Sequence, residues 1–217
     1  MSTEPTVRIS EIFYSLQGEA RTVGRPTAFV RLTGCPLRCV YCDTEYAFHG
    51  GTSMPVTEVL DQVSAYSPSY VTVTGGEPLA QPSCLPLLSA LCDRGFEVSL
   101  ETSGAMNTRD VDPRVSVVLD LKTPASGEVA RNDYANIEHL RDIDQVKFVI
   151  CDQSDYDWAR FKLDEYRLAE RVDEVLFSPS FGQQNETELA EWIIRDNLPV
   201  RLQLQLHKLL WQDAPGH

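Results

Sequence analysis

Cys35, Cys39 and Cys42 form a C-x3-C-x2-C triplet directly after an apolar, strand-like run, and the next cysteine is Cys84. Three thiolates can hold three corners of a cubane 4Fe-4S cluster and leave its last iron open, whereas structural zinc sites and electron-transfer clusters normally close every position. An open iron is a place for chemistry. His49 could instead complete the triplet as a Cys3His zinc site, because cysteine spacing alone serves both metals. A disulfide is the poorest reading: residues 1–13 carry no charged-then-apolar leader, so reduced thiols and a cytoplasmic location are expected. Cys84 and Cys92 fall on an apolar helical stripe and read as core, and Cys151, just after a strand-like run, reads as a buried structural thiol.

The elements that position this loop follow from periodicity. Short, β-branched apolar runs occur at 27–33, 70–74, 96–101, 115–121, 145–150, 174–177 and 200–206, and read as buried parallel strands. Val56, Val59, Leu60 and Val63 repeat at helical spacing, as do Cys84, Leu87, Leu88 and Leu91, and Leu189, Trp192 and Ile193 begin the same pattern. The chain 1–217 shows no repeat or linker and is expected to be one α/β domain, a partial, TIM-like barrel of parallel strands with outer helices. The region 95–121 contains little helical pattern, so fewer helices than strands are expected. Ligands of such sheets bind at the carboxyl ends of the strands. The cysteine loop, Gly75-Gly76-Glu77-Pro78, Glu101-Thr102-Ser103-Gly104, Asp120-Leu121-Lys122 and Ser178-Pro179 all sit at or just beyond such ends, and together they predict one site.

Composition narrows the partners. With 32 acidic against 19 basic side chains the formal charge is −13, which repels phosphate backbones and anionic membranes at long range. No apolar run approaches the roughly 18 residues of a membrane-spanning helix. Neither nucleic acid nor a membrane is expected as a partner.

The triplet Cys35-Pro-Leu-Arg-Cys39-Val-Tyr-Cys42, followed by Thr74-Gly75-Gly76-Glu77-Pro78, resembles the radical S-adenosylmethionine (SAM) superfamily and favours a cluster over zinc. That resemblance implies a 4Fe-4S cluster on Cys35, Cys39 and Cys42, with SAM cleaved reductively at the open iron to a 5′-deoxyadenosyl radical. A narrower resemblance spans nearly the whole chain. Phe13-Tyr-Ser-Leu16-Gln17-Gly18-Glu19, Arg31-Leu-Thr-Gly-Cys35, Cys42-Asp43-Thr44, Glu101-Thr102-Ser103-Gly104 and Leu206-His207-Lys208 are similar to the 7-carboxy-7-deazaguanine synthase family. Its members are carbon–nitrogen lyases of queuosine and 7-deazapurine biosynthesis, which contract 6-carboxy-5,6,7,8-tetrahydropterin to 7-carboxy-7-deazaguanine with loss of ammonia.

The resemblance implies residue roles. Tyr41, Cys42, Asp43, Gly76, Asp120, Leu121, Lys122, Ser178 and Pro179 would bind SAM, and Thr44 would ligate Mg2+. Leu16, Gln17, Gly18, Arg31, Thr74 and His217 would bind the pterin, with His207 close by. No side chain is assigned as catalytic, because the SAM-derived radical carries the chemistry. The family also implies a homodimer and an external electron donor such as a flavodoxin or ferredoxin. Asp120-Leu121-Lys122 departs from the Ser-Pro-Lys usual in this family. A glycyl-radical activating enzyme shares the cysteine spacing but leaves Leu16-Gln17-Gly18, Arg31 and Cys42-Asp43-Thr44 unexplained; a zinc-stabilised interaction module would be colourless.

Cys39→Ala is expected to lose iron and activity together after anaerobic reconstitution. A normal iron content in this variant would contradict the three-ligand assignment.

Overall fold

The apolar runs become strands of one nine-stranded sheet in the computed structural model, which describes residues 4–212, 214 and 216. In chain order these are β1 (Thr6–Leu16), β2 (Pro26–Leu32), β3 (Thr52–Pro55), β4 (Tyr70–Gly75), β5 (Glu97–Thr102), β6 (Ser116–Asp120), β7 (Gln145–Ile150), β8 (Glu174–Pro179) and β9 (Arg201–Leu202). The helices are α1 (Val56–Ala65), α2 (Cys84–Asp93), α3 (Gln153–Glu165), α4 (Glu186–Arg195) and α5 (Leu206–Trp211). Strand order is β3-β1-β2-β4-β5-β6-β7-β8-β9; β1 runs antiparallel to β2 and β3, and every other pair is parallel.

The two faces of this sheet differ. Val71 and Val73 of β4, Val98 and Leu100 of β5, Val117 and Leu119 of β6 and Phe148 of β7 face outward, and form one core with Val59, Val63, Leu87, Leu91, Tyr156 and Leu163 of the helices. The alternate positions face the hollow of the curved sheet and are mixed: Thr72, Thr74, Glu101, Asp120 and Lys147 are polar, whereas Phe29, Val118 and Val149 are apolar. The inner face is therefore more polar than the two-sidedly apolar reading suggested, because it encloses a cavity rather than a second layer of helices. The expected partial barrel is present, and the connections β5–β6 and β6–β7 carry no α-helix.

Four elements were not anticipated: β1, β3, α3 and α5. In β1 the pairing Ile9↔Leu32 is followed by Glu11↔Arg31, so Ser10 is an extra residue in a bulge. Val7 and Ile9 lie on the outer face before it and Ile12 after it, and this switch of phase hides the strand from a period-two reading. Helix α3 carries few apolar residues, and its start is marked by Asp152, whose side chain accepts from Asp155 N at 2.9 Å. Residues 200–206 alternate like a strand, yet only Arg201–Leu202 pair; Gln203 and Gln205 turn to side-chain contacts, and Leu206 opens α5.

β3 and β9 do not pair, so the barrel stays open, and the β1–β2 loop fills the gap. Gln17 Nε2 donates to Thr72 Oγ1 (2.9 Å), Arg21 N to Gln145 Oε1 (2.9 Å), Arg201 Nη2 to Ala20 O (2.8 Å) and Leu206 N to Gly18 O (3.0 Å). Three strands of the sheet, β4, β7 and β9, and the start of α5 are thereby tied to one loop.

Phe148 is fully buried, edge-on to Trp158 and Phe177 with ring centroids 6.1 and 5.6 Å away. Phe148→Ala should cost about 3–5 kcal/mol and lower Tm by roughly 6–20 °C, read by thermal melting of the anaerobic protein. An unchanged Tm would show that β7 and α3 do not depend on this contact.

Candidate active site

At the carboxyl ends of the strands the hollow forms a cavity of about 640 Å³, within the range of small-molecule sites. All five motifs marked in the sequence contribute to its lining, joined by the ends of β1 and β7 and by the start of α5.

The cysteine loop follows β2. Cys35, Cys39 and Cys42 are half-buried, unpaired and in the lining. Burial raises all three thiol pKa values, Cys39 to about 11, so these thiols lose their protons as a metal binds. The backbone N–H groups of Leu37 and Thr44 donate to Cys35 and Cys42. The loop leans on the segment after β6: Val40 N donates to Ser126 O (3.0 Å) and Arg38 N to Glu128 Oε1 (2.6 Å). His49 is exposed and edge-on to Phe48, outside the cavity lining, and so completes no zinc site.

Gly76 packs against this loop so closely that a Cβ would collide with Gly34 O and Cys35 Cβ. Its neighbour Glu77 is fully buried but turns away from the cavity. It accepts from Leu79 N (2.9 Å), Thr102 Oγ1 (2.9 Å) and Ser103 N (2.7 Å), and so anchors the end of β5. Tyr41 Oη and Asp120 Oδ1 are buried without a hydrogen-bond partner. Burial, then Asp120, push the Tyr41 phenol far up, so it is a donor awaiting an acceptor. Lys122, Ser178 and Pro179 also line the cavity, whereas the Leu121 side chain is fully buried in the outer core and only its backbone is near the site. Asp43 Oδ1 accepts from Thr44 Oγ1 at 2.8 Å, leaving the hydroxyl lone pairs available to a cation. Three thiols on one loop, a glycine cradle beside them and two orphaned polar atoms fit a cluster and a polar cofactor.

The other half of the cavity is built from β1, β2, β5 and β7. Phe13 and Phe29 stack at 4.8 Å. Arg31 Nε donates to Glu11 Oε1 (2.7 Å), while its terminal nitrogens make no hydrogen bond to a described residue. The Gln17 side chain is held by Thr72 and by Glu19 N, its backbone N and O pair with Arg25 O and Gly24 N, and Gly18 O accepts from Leu206 N, so in this part of the lining the Gly18 N–H and the end of β1 at Leu16 keep hydrogen-bonding capacity. Gly18 leaves room for His207, whose Nδ1 occupies the space of its missing Cβ; burial lowers the imidazole pKa, so the ring is neutral. His217 lies outside the described residues.

Sequence reasoning passed over the charged floor. Lys147 Nζ donates to Glu19 Oε2 (2.7 Å) and stands 3.5 Å from Asp120 Oδ2, which also meets Lys122 Nζ at 3.1 Å. Burial opposes the charge on Lys147, but Glu19, Asp120 and Glu101 together raise its pKa well above the ordinary range. The signal was present: Lys147 is the one charge inside the strand Gln145–Ile150. Among the described residues Glu101 accepts a hydrogen bond only from Thr74 Oγ1, at 3.3 Å, and burial raises its carboxyl pKa against the attraction of Lys147 and Arg31.

Fold and cysteine loop define a radical SAM protein, and the Radical SAM superfamily pattern matches residues 29–122. The chain is 47% identical over 220 residues, all of both chains, to the 7-carboxy-7-deazaguanine synthase of Chlorobaculum tepidum. It is 40% identical to that of Koribacter versatilis, over 94% of this chain and 97% of the relative. The solved structure of QueE from Escherichia coli shares the fold, with a TM-score of 0.76 at 24% identity over 93% of this chain and 95% of the other. The chain belongs to the 7-carboxy-7-deazaguanine synthase family. Membership of the radical SAM superfamily carries with it a 4Fe-4S cluster and SAM.

Glu101 holds its proton more tightly folded than unfolded, so its ionised form costs stability. That cost is absent below the ordinary value of 4.5, grows as pH rises through it and is complete above the raised folded value. Glu101→Gln is therefore expected to raise the Tm of the ligand-free protein at about pH 8 and to leave it unchanged at about pH 4. An equal gain at both pH values would contradict this account of Glu101.

Proposed function

We propose that this enzyme converts 6-carboxy-5,6,7,8-tetrahydropterin to 7-carboxy-7-deazaguanine and ammonia, on the route to queuosine and related deazapurines. The change is redox-neutral, since the substrate less ammonia has the composition of the product, and SAM serves catalytically. The observation that carries the reading is that the cysteine triplet, the free fork of Arg31 and the thinly partnered Glu101 carboxylate share one cavity.

Cys35, Cys39 and Cys42 would hold the cluster, which together with SAM would supply a carbon radical able to remove a substrate hydrogen. Gly76 admits the cofactor backbone-close, Tyr41 Oη and Asp120 Oδ1 offer it a donor and an acceptor, and Asp43, Lys122, Ser178 and Pro179 complete its surroundings. Arg31 receives the substrate carboxylate with the fork that Glu11 leaves free. Glu101, beside Thr74, accepts N–H groups of the pterin edge, and the Leu16–Gly18 backbone pairs with the same ring. Phe13 and Phe29 give the ring a flat wall. Thr44 would hold Mg2+ through its hydroxyl, and the ion would supply Lewis-acid and templating chemistry to the substrate.

We read the whole chain as one radical SAM domain, acting in the cytoplasm as a homodimer and reduced by a flavodoxin or ferredoxin. Among the described residues no helix is long and apolar enough to cross a membrane.

The decisive experiment is anaerobic reconstitution with iron and sulfide, then reductant, SAM, Mg2+ and the tetrahydropterin, with mass spectrometry for the deazaguanine. SAM-dependent product is expected; SAM cleavage without it would require another substrate. Thr44→Ala should keep the cluster and SAM cleavage but lose the response of turnover to Mg2+, and unchanged Mg2+-dependent turnover would remove Thr44 from that role.

A further inference from the structure

Arg31 is held from two sides. Its partner across the β1–β2 ladder is Glu11, and this pairing exists only because of the bulge: the register of Ile9↔Leu32, continued without it, would set Ser10 opposite Arg31. Glu11 Oε1 accepts from Arg31 Nε at 2.7 Å and from Tyr46 Oη at 2.8 Å. The Tyr46 and Phe13 rings lie on the guanidinium, each centroid 5.8 Å from its carbon. Tyr46 belongs to the short turn Glu45–Phe48, directly beyond Cys42 and Thr44.

One carboxylate oxygen thus joins an arginine of the barrel wall to the loop that carries the cluster cysteines. A salt bridge through Nε alone leaves both terminal nitrogens pointing elsewhere, which suits an arginine kept for a bidentate anion. With 16% exposure of its side chain, Arg31 has little freedom left once Nε is fixed.

We propose that Glu11 and Tyr46 are positioning residues for the known reaction: they aim Arg31 at the substrate carboxylate and fix that aim relative to the cysteine loop. The proposal rests on the reading of Arg31 as the carboxylate receptor. Glu11 acts by geometry. As a negative charge it weakens the attraction of Arg31 for another anion, so its retention beside an anion receptor points to orientation rather than field.

The test is the KM for the tetrahydropterin, with iron content, SAM cleavage and Tm followed in parallel. Glu11→Ala should raise KM about tenfold, the loss expected when a charge-assisted hydrogen bond no longer orients its donor. Glu11→Gln keeps an acceptor oxygen for both donors and should restore KM to near the wild-type value. Tyr46→Phe, which removes one hydroxyl, should raise KM by about threefold. Iron content and SAM cleavage should not change. Inhibition by tetrahydropterin lacking the 6-carboxylate should be equal in all these variants, because that ligand makes no use of Arg31. Arg31→Ala separates the two ideas: if it raises KM and Glu11→Ala and Tyr46→Phe do not, the positioning role is overturned. If Glu11→Gln is as impaired as Glu11→Ala, charge rather than aim is at work and the proposal fails. If Arg31→Ala leaves KM unchanged, the carboxylate-receptor reading itself falls, and the positioning role with it.

Discussion

The contact between Lys147 and Glu19 carries more of the architecture than any other single interaction. An unclosed barrel has a gap between its first and last strands, and here a loop rather than a strand fills it. Glu19, on that loop, accepts from Lys147 of β7 at 2.7 Å and from Gln205, at the entrance to α5, at 2.8 Å. Burial disfavours both charges, and each is the other's strongest support: burial would raise Glu19, yet Lys147 first and then Gln205 and His207 lower it, while Lys147 is held charged by Glu19 together with Asp120 and Glu101. A buried pair of this kind adds little against an apolar replacement, but losing one partner costs about 3–5 kcal/mol. It therefore fixes which arrangement of the loop is allowed rather than how stable the sheet is. The same loop presents Leu16 to Gly18 and leaves room for His207, so a contact that closes the fold also shapes one wall of the cavity.

Charge inside the cavity does not follow charge outside. The chain carries a formal −13, yet the acidic and basic side chains lining the cavity, with His207 neutral, are equal in number. That balance suits ligands of mixed sign, a sulfonium cofactor with its own amino and carboxylate groups and an anionic pterin. The lining is also unevenly satisfied. Lys147 and Glu19 are locked together, while Glu101, Tyr41 Oη, Asp120 Oδ1 and the Arg31 fork keep capacity. Buried polar groups without partners are rare because they are costly. Among the described residues Tyr41 Oη and Asp120 Oδ1 are such groups within the cavity lining, where ligand groups can complete them, whereas Ser15 Oγ, Thr33 Oγ1, Arg201 Nε and Gln203 Oε1 lie outside it.

The parts of this arrangement that depend on local sequence were legible. Cysteine spacing, strand-end glycines and helical stripes each span a few residues, and each lies where the pattern put it. What escaped depends on distance or on phase. Lys147 and Glu19 are 128 positions apart, and no local signal pairs them. The bulge at Ser10 shifts β1 by one residue, so its outward side chains obey no single alternation. Residues 200–206 mislead for the opposite reason: Gln203 and Gln205 alternate with leucines as in a strand, but their amides are engaged elsewhere, and a ladder two residues long results.

Glycine and glutamate in Gly75-Gly76-Glu77 serve the site in different ways, and both follow from crowding. Gly75 has φ of 153° and Gly76 touches Gly34 and Cys35, so backbone meets backbone where the cysteine loop crosses the end of β4. A side chain at Gly75 would collide with the Leu32 backbone at the end of β2, and one at Gly76 would push the cysteine loop outward. Glu77 then draws in the neighbouring strand end, because its two oxygens collect donors from Leu79, Thr102 and Ser103. Two carboxylate oxygens taking at least four donors within a fully buried pocket leave no acceptor capacity for a ligand. The motif therefore offers the cofactor its backbone, while its acidic side chain holds β5 at the height where Glu101 faces the cavity. The spacing between the cysteine loop and Glu101 is held by that buried carboxylate, through its hydrogen bonds from Leu79, Thr102 and Ser103.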